Sequence, residues 1–219
     1  MRYMRVKIVI ADIDECLGLL ARPERFCSAQ RLERCLSIRS EAARKQGYAA
    51  ELALSYALSG SSLEPPVYCY ADNGKPVIEN GYVSLSHSGG YAVCAYADAP
   101  VGVDIEVKRE VSTKIAARIL CEAELAAYEN GGGNDYLLER FVMKEAYFKM
   151  TGEGLGGGFA EVDTTGGAIV RGGEPAGSVR RFGGDEFFGY AVCDTEFDLS
   201  VIRISDAVDP AFDDSEQQE

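Results

Sequence analysis

With 219 residues and 47% hydrophobic content, the chain is long enough for one large domain or two small ones around a substantial core. A formal net charge of −13 argues against nucleic-acid binding that rests on phosphate neutralisation. No apolar run approaches the ~20 residues of a membrane span and no early segment reads as a secretory leader, so a cytoplasmic protein without membrane contact is expected.

The first expected element is a strand over 5–13. It alternates through Val6-Lys7-Ile8-Val9-Ile10 and ends in Asp12-Ile13-Asp14, a pair of acids that nothing downstream partners. Ser28 can cap a helix through Leu32, Cys35, Leu36 and Ile38, and Ser40 a second over 41–58, closed by Gly60. Between 22 and 45, Arg22, Arg25, Arg31, Arg34, Arg39, Arg44 and Lys45 outnumber Glu24, Glu33 and Glu41, which makes either a local basic patch or a solvated helical face. Residues 67–70 read as a strand, Asp72-Asn73-Gly74-Lys75 as a tight turn closed by Pro76, and 83–85 as a further strand. The polar run Ser86-His87-Ser88-Gly89-Gly90 begins where that strand ends, and its glycines let the backbone approach an anion closely.

Two later segments carry the chemistry. In the strand Val101-Gly102-Val103-Asp104-Ile105-Glu106, side chains alternate, so Val101, Val103, Ile105 and Val107 sink inward while Gly102, Asp104 and Glu106 share the other face. Alone, such a pair of acids is usually a solvated strand face. The stretch 141–149, Phe-Val-Met-Lys-Glu-Ala-Tyr-Phe-Lys, reads as a helix so apolar that it must be buried, which leaves Lys144, Glu145 and Lys149 as a narrow polar stripe. That stripe has to face something polar. Asp104, Glu106 and Glu145 converging from strand and helix suit a hard cation, Mg²⁺ or Mn²⁺, that keeps some waters and takes substrate phosphates as further ligands. Lys144 and Lys149 would face the same phosphates.

An internal repeat bears on domain organisation. Gly90-Tyr91-Ala92-Val93-Cys94 recurs as Gly189-Tyr190-Ala191-Val192-Cys193, 99 residues later. The expectation is an α+β protein of two similar α/β subdomains, 1–102 and 103–205, related by a pseudo-twofold axis and followed by an acidic disordered tail over 206–219. The same offset places Arg203 opposite Asp104, so a single active site at the junction is expected. The Gly-x-Gly-x-x-Gly match within 152–158 closes a helix instead of following a strand and opening one, which excludes a dinucleotide fingerprint. Seven cysteines without a Cys-x-x-Cys pair, beside a lone His87, read as reduced, mostly buried thiols and not as a zinc site.

On these residues the chain resembles a known family. Gly102-Val103-Asp104-Ile105-Glu106 and the later Lys144-Glu145 with Lys149, preceded in order by Asn73-Gly74-Lys75-Pro76 and Leu85-Ser86-His87-Ser88, are similar to the surfactin-type 4'-phosphopantetheinyl transferases. The likeness runs from roughly 73 to 159, with Phe141 standing where the family has Trp. It implies the 4'-phosphopantetheinyl transferase fold and Mg²⁺-dependent transfer of phosphopantetheine from coenzyme A to a serine of an apo acyl or peptidyl carrier protein, releasing 3',5'-adenosine bisphosphate. It also implies coenzyme A contacts from Lys75, Ser86, His87, Asp104, Lys144 and Lys149, with Arg44 and Lys45 at the 3'-phosphate. By its spacing from Asp104, Glu124 matches the family's general base, and Lys149 and Glu145 join it as catalytic residues. The expected partners are coenzyme A and an apo carrier, met by a monomer built as a pseudo-dimer. Because carriers are usually acidic, docking would need the local basic patch. Two other classes remain: a catalytically silent carrier-binding module, against which the intact acids count, and another Mg²⁺-dependent phospho- or nucleotidyltransferase.

Overall fold

A computed structural model of the chain describes residues 4–156 and 158–206 and divides most of its strands between two sheets. β1 (Met4–Asp12) is buried on both faces, not on one. Val9 and Ala11 join a core beneath a helix, whereas Val6, Ile8 and Ile10 join a second core between the sheets. A short α1 (Leu17–Leu20) leads to α2 (Ala29–Leu36) and the long α3 (Glu41–Ser59). Both caps expected from sequence form: the Ser28 hydroxyl accepts from Arg31 N at 3.3 Å and that of Ser40 from Ala43 N at 3.3 Å. β2 (Cys69–Tyr70) and β3 (Pro76–Val77) make a small hairpin. β4 (Tyr82–Ser88) and β5 (Tyr91–Ala97) turn at Gly89, whose φ of +55° suits glycine.

β6 (Val101–Val107) opens the second half. It is followed by α4 (Ala116–Ile119), α5 (Glu122–Ala127) and α6 (Gly133–Thr151), then β7 (Val162–Asp163), β8 (Ala168–Arg171), β9 (Glu174–Phe182), β10 (Phe187–Cys193) and β11 (Phe197–Ile204). α6 begins well before the expected 141, because Leu137 and Leu138 extend its buried face toward the N-terminus.

The first sheet has the order β11-β1-β5-β4 and the second β6-β10-β9-β8-β7. All pairings are antiparallel except β1 with β11. The two strands that share the repeated pentapeptide hold matching places, β5 between β1 and β4, and β10 between β6 and β9. α3 covers the outer face of one sheet and α6 that of the other, so the layers run helix, sheet, sheet, helix. That layering explains why β10 is buried at all seven positions: neither face meets water.

Three sequence expectations change here. A division at 102/103 falls inside β6, which belongs whole to the second sheet. β11, assigned with 103–205, returns to pair with β1. Asp206, expected to open a disordered tail, is anchored: its carboxylate accepts from Gly18 N and Leu19 N, both at 2.8 Å, and caps α1. The rest of that tail, 207–219, lies outside the described residues. The cysteines of the chain are free thiols, with Cys16, Cys27, Cys35, Cys94 and Cys193 buried. Among the described residues no helix is long and apolar enough to cross a membrane.

Candidate active site

Gly102 decides how the second half assembles. A Cβ there would overlap the Ala146 carbonyl oxygen and lie 2.5 Å from Met150 N, so the backbone of α6 rests directly on β6. This close crossing carries Glu145 and Lys149, one helical turn apart, over the Asp104 face of the strand. From the other sheet, β4 brings Ser86 and His87. Together these groups line a cavity of about 540 Å³, reached also by Glu106, by Lys75 of the β2–β3 turn, and by Arg31 and Arg34 of α2. Gly152 and Gly154, from the glycine-rich loop that closes α6, complete its rim.

Asp104 is 5% exposed. Its Oδ1 accepts from the Ser86 hydroxyl at 2.6 Å and from Lys149 Nζ at 2.7 Å. Burial raises its pKa, while Lys149 and Ser86 oppose that rise. Glu106 Oε2 accepts from the Ser88 hydroxyl at 2.6 Å, and its Oε1 from Arg109 at 3.4 Å. Glu145 differs from both. It is 9% exposed, and its buried Oε1 has no hydrogen-bond partner. Desolvation, with the charges of Asp104 and Glu106 added and Lys149 opposing, pushes its pKa up to about 7. A buried carboxylate left this way costs free energy unless a cation or a proton meets it.

The three acids share the cavity without closing on a point. Among the described residues the trio whose ligand atoms lie within 4.8 Å of one another is Cys121, Glu124 and Asp163. In the cavity the short contacts of Asp104 and Glu106 go to hydroxyls and cationic side chains.

His87 stands on the cavity wall with one edge open to solvent. Desolvation, then the charges of Lys149 and Arg31, hold its imidazole below the ordinary range, so it is neutral near pH 7. Lys75 lines the cavity, but its ammonium donates to the carbonyls of Lys149 at 2.8 Å and of Val101 and Met150 at 3.3 Å. It therefore caps the C-terminal end of α6.

Four residues expected at the site lie elsewhere. Glu124 is fully buried: its Oε1 accepts from Thr164 N at 2.9 Å and from the Thr164 hydroxyl at 2.6 Å, and its Oε2 from Cys121 N at 3.0 Å and from Lys144. With every lone-pair direction engaged and no place on the cavity wall, it stands apart from the cavity where the expected general base would act. Lys144 is fully buried beside it, donating to Ile119 O at 2.8 Å and Phe159 O at 3.0 Å. Consecutive helical residues point in directions about 100° apart, so Lys144 and Glu145 could not share one stripe. The Lys144 ammonium also occupies the position at Glu124 that a cation would take, and the Cys121, Glu124, Asp163 trio is a structural cluster.

Arg44 and Lys45 do not line the cavity either. Lys45 pairs with Glu41 at 2.9 Å along the surface of α3. Their place is taken by Arg31 and Arg34, which α2 presents at i and i+3 to the cavity mouth. The basic cluster over 22–45 contained these two, but choosing between helices required knowing which one faces the opening.

The profile described as the 4'-phosphopantetheinyl transferase superfamily matches residues 100–190, from β6 through α6 to β10. Over that stretch the chain is similar to this superfamily. The 4'-phosphopantetheinyl transferase Sfp of Bacillus subtilis (strain 168) is 35% identical over 88 residues, which is 37% of this chain and 39% of that protein. The 4'-phosphopantetheinyl transferase psf-1 of Bacillus pumilus is 35% identical over 104 residues, 45% of each chain. The matched stretches thus span less than half the length of these relatives. The crystal structure of Thermotoga maritima holo-[acyl-carrier-protein] synthase overlaps 43% of this chain and 61% of that one, at 27% identity and a TM-score of 0.34. The superfamily's matched stretch holds Asp104, Glu106, Glu145 and Lys149, whereas the β4 and α2 contributions come from outside it.

Proposed function

We propose that this chain transfers the 4'-phosphopantetheine group of coenzyme A to a serine of an apo acyl or peptidyl carrier protein, with Mg²⁺ or Mn²⁺, and releases 3',5'-adenosine bisphosphate. In this reading it acts as a cytoplasmic monomer whose two β-α-β-β units are related by a pseudo-twofold axis. The observation that carries it is that Asp104, Glu106 and Glu145 line one cavity, where Glu145 keeps a buried oxygen without a partner.

That orphaned oxygen and the all-oxygen donor set fit a hard divalent cation, which Asp104, Glu106 and Glu145 would hold. A cation bound there supplies neutralisation of pyrophosphate charge. The chain's own groups do the rest. Lys149, already paired with Asp104 on the cavity wall, would offset the charge that grows on the leaving group. Neutral His87 hydrogen-bonds a phosphate oxygen without adding charge. Arg31 and Arg34 at the cavity mouth take the 3'-phosphate, the part first assigned to Arg44 and Lys45. The serine oxygen of the carrier attacks the β-phosphorus as the bond from that phosphorus to the bridging oxygen breaks. The hydroxyl proton passes to a water in the open cavity, because Glu145, as a cation ligand, is held as the carboxylate and is not free to take it.

The test is to incubate the protein with coenzyme A, Mg²⁺ and an apo carrier and to weigh the carrier. A gain of one phosphopantetheine group, lost in Asp104→Asn, is expected. An unchanged mass with both acyl and peptidyl carriers overturns the proposal.

A further inference from the structure

The acids of β6 are held by a feature that lies outside the family stretch. β6 is the edge strand of its sheet and β4 the edge strand of the other, so each exposes backbone groups that no strand ladder satisfies. The two edges face each other but do not pair through their backbones. Three serines of β4, spaced by two, bridge them: the Ser84 hydroxyl accepts from Val103 N at 3.0 Å, that of Ser86 from Ile105 N at 3.4 Å, and that of Ser88 from Val107 N at 3.2 Å. All three side chains are buried.

A serine hydroxyl accepts through its lone pairs and has one proton to donate. Once the backbone N–H is accepted, that proton goes to whatever side chain the preceding residue of β6 presents. At Ser86 it goes to Asp104 Oδ1 and at Ser88 to Glu106 Oε2, both at 2.6 Å. At Ser84 the preceding residue is Gly102, which has no side chain. The period of two in Ser84-Leu85-Ser86-His87-Ser88 thus matches the period of two in Gly102-Val103-Asp104-Ile105-Glu106, rung against rung.

We propose that Ser88 and Ser86 are positioning residues for the cation-binding acids. Each rung ties a carboxylate oxygen to the same hydroxyl that pins the backbone of its neighbour, which fixes the acid's rotamer and the gap between the sheets together. Ser84 makes the same junction without an acid and serves only the fold. This rests on the reading of Asp104 and Glu106 as cation ligands. Short charge-assisted bonds from the surrounding shell are what hold such ligands in place before an ion arrives.

The experiment compares Ser84→Ala, Ser86→Ala and Ser88→Ala in the full chain, reading Mn²⁺ affinity by calorimetry and the unfolding midpoint without metal. All three lose stability, because each leaves a buried N–H unsatisfied. Ser86→Ala and Ser88→Ala raise the Kd for Mn²⁺ by about tenfold, while Ser84→Ala changes it by less than about twofold, as expected when only the first two remove support from a ligand. If Ser88→Ala does not fold, Ser88→Cys, which fills the site but donates weakly, carries the same comparison. Wild-type binding with equal Kd values across the three variants overturns the positioning role alone. A wild type that binds no Mn²⁺ overturns the cation reading, and this inference with it.

Discussion

Each half of the molecule buries a carboxylate on the helix that covers its sheet, and the two are treated differently. Glu51 of α3 is 0% exposed and Glu145 of α6 is 9% exposed, and desolvation raises the pKa of both. At Glu51 the fold supplies the remedy: the Tyr68 hydroxyl donates at 3.0 and 3.1 Å, Ser28 at 3.4 Å, and Arg31 stands 3.7 Å away. At Glu145 the nearby acids add to the penalty, and one oxygen is left without a partner. The first half has spent its buried charge on architecture. The second keeps its own uncompensated, and such a charge facing a cavity is where a ligand has something to offer.

The sharpest test of that contrast is Glu145→Gln, which should lower kcat by about 10³-fold or more while leaving the unfolding midpoint level or raised. Retained transfer activity would break the comparison. Glu51→Ala should do the opposite, costing about 3–5 kcal/mol in urea unfolding because Arg31 loses its buried counter-charge. Lys144→Met alone should cost a similar amount, about 3–5 kcal/mol, whereas Lys144→Met with Glu124→Leu should recover much of it by removing both charges. A folded double variant with no turnover would return Glu124 to the reaction. Gly102→Ala should cost about 3 kcal/mol, the upper part of the range for an overpacked core, because α6 must lift off β6. It should also weaken Mn²⁺ binding.

The pH dependence follows from the sign of the Glu145 shift. Its folded pKa of about 7 lies above the ordinary 4.5, so its contribution to stability is present at low pH and is lost as pH rises from about 4.5 to 7. The shift corresponds to about 3 kcal/mol. Denaturant titrations of metal-free protein at pH 5 and pH 8 should show this loss in wild type and a smaller one in Glu145→Gln. The smallest effect expected is at the cavity mouth. Arg34→Ala should raise KM for coenzyme A by about tenfold, and Arg44→Ala by less than about twofold, since charged contacts are worth roughly 1.5–3 kcal/mol only where they are made.

Much of this was legible in the chain. The two serine caps, the apolar strands, the Gly-x-Asp-x-Glu face and the buried character of the stretch around Glu145 are local patterns whose period or cap chemistry leaves few alternatives. The rejection of the glycine-rich loop as a dinucleotide site was also local, since Gly152 ends α6 and does not open a helix. What failed had a common cause. Lys144 and Glu145 are adjacent in sequence and were assigned one direction, yet the crossing of α6 over Gly102 turns Glu145 to the cavity and Lys144 into the core. Glu124 matched by spacing, which measures distance along the chain and not through space.

Sequence alone determined which residue types were available to the chemistry: three acids, a paired lysine and a histidine at a strand end, because local periodicity dictates which side chains share a face. Only tertiary structure decided which of them meet. Two sheet edges joined by serine hydroxyls, and a helix resting on a glycine, bring groups from distant segments to one cavity, and no local rule sets that approach. The same packing consumed Glu124 and Lys144 in each other's neutralisation, because a buried charge takes the nearest partner the fold provides.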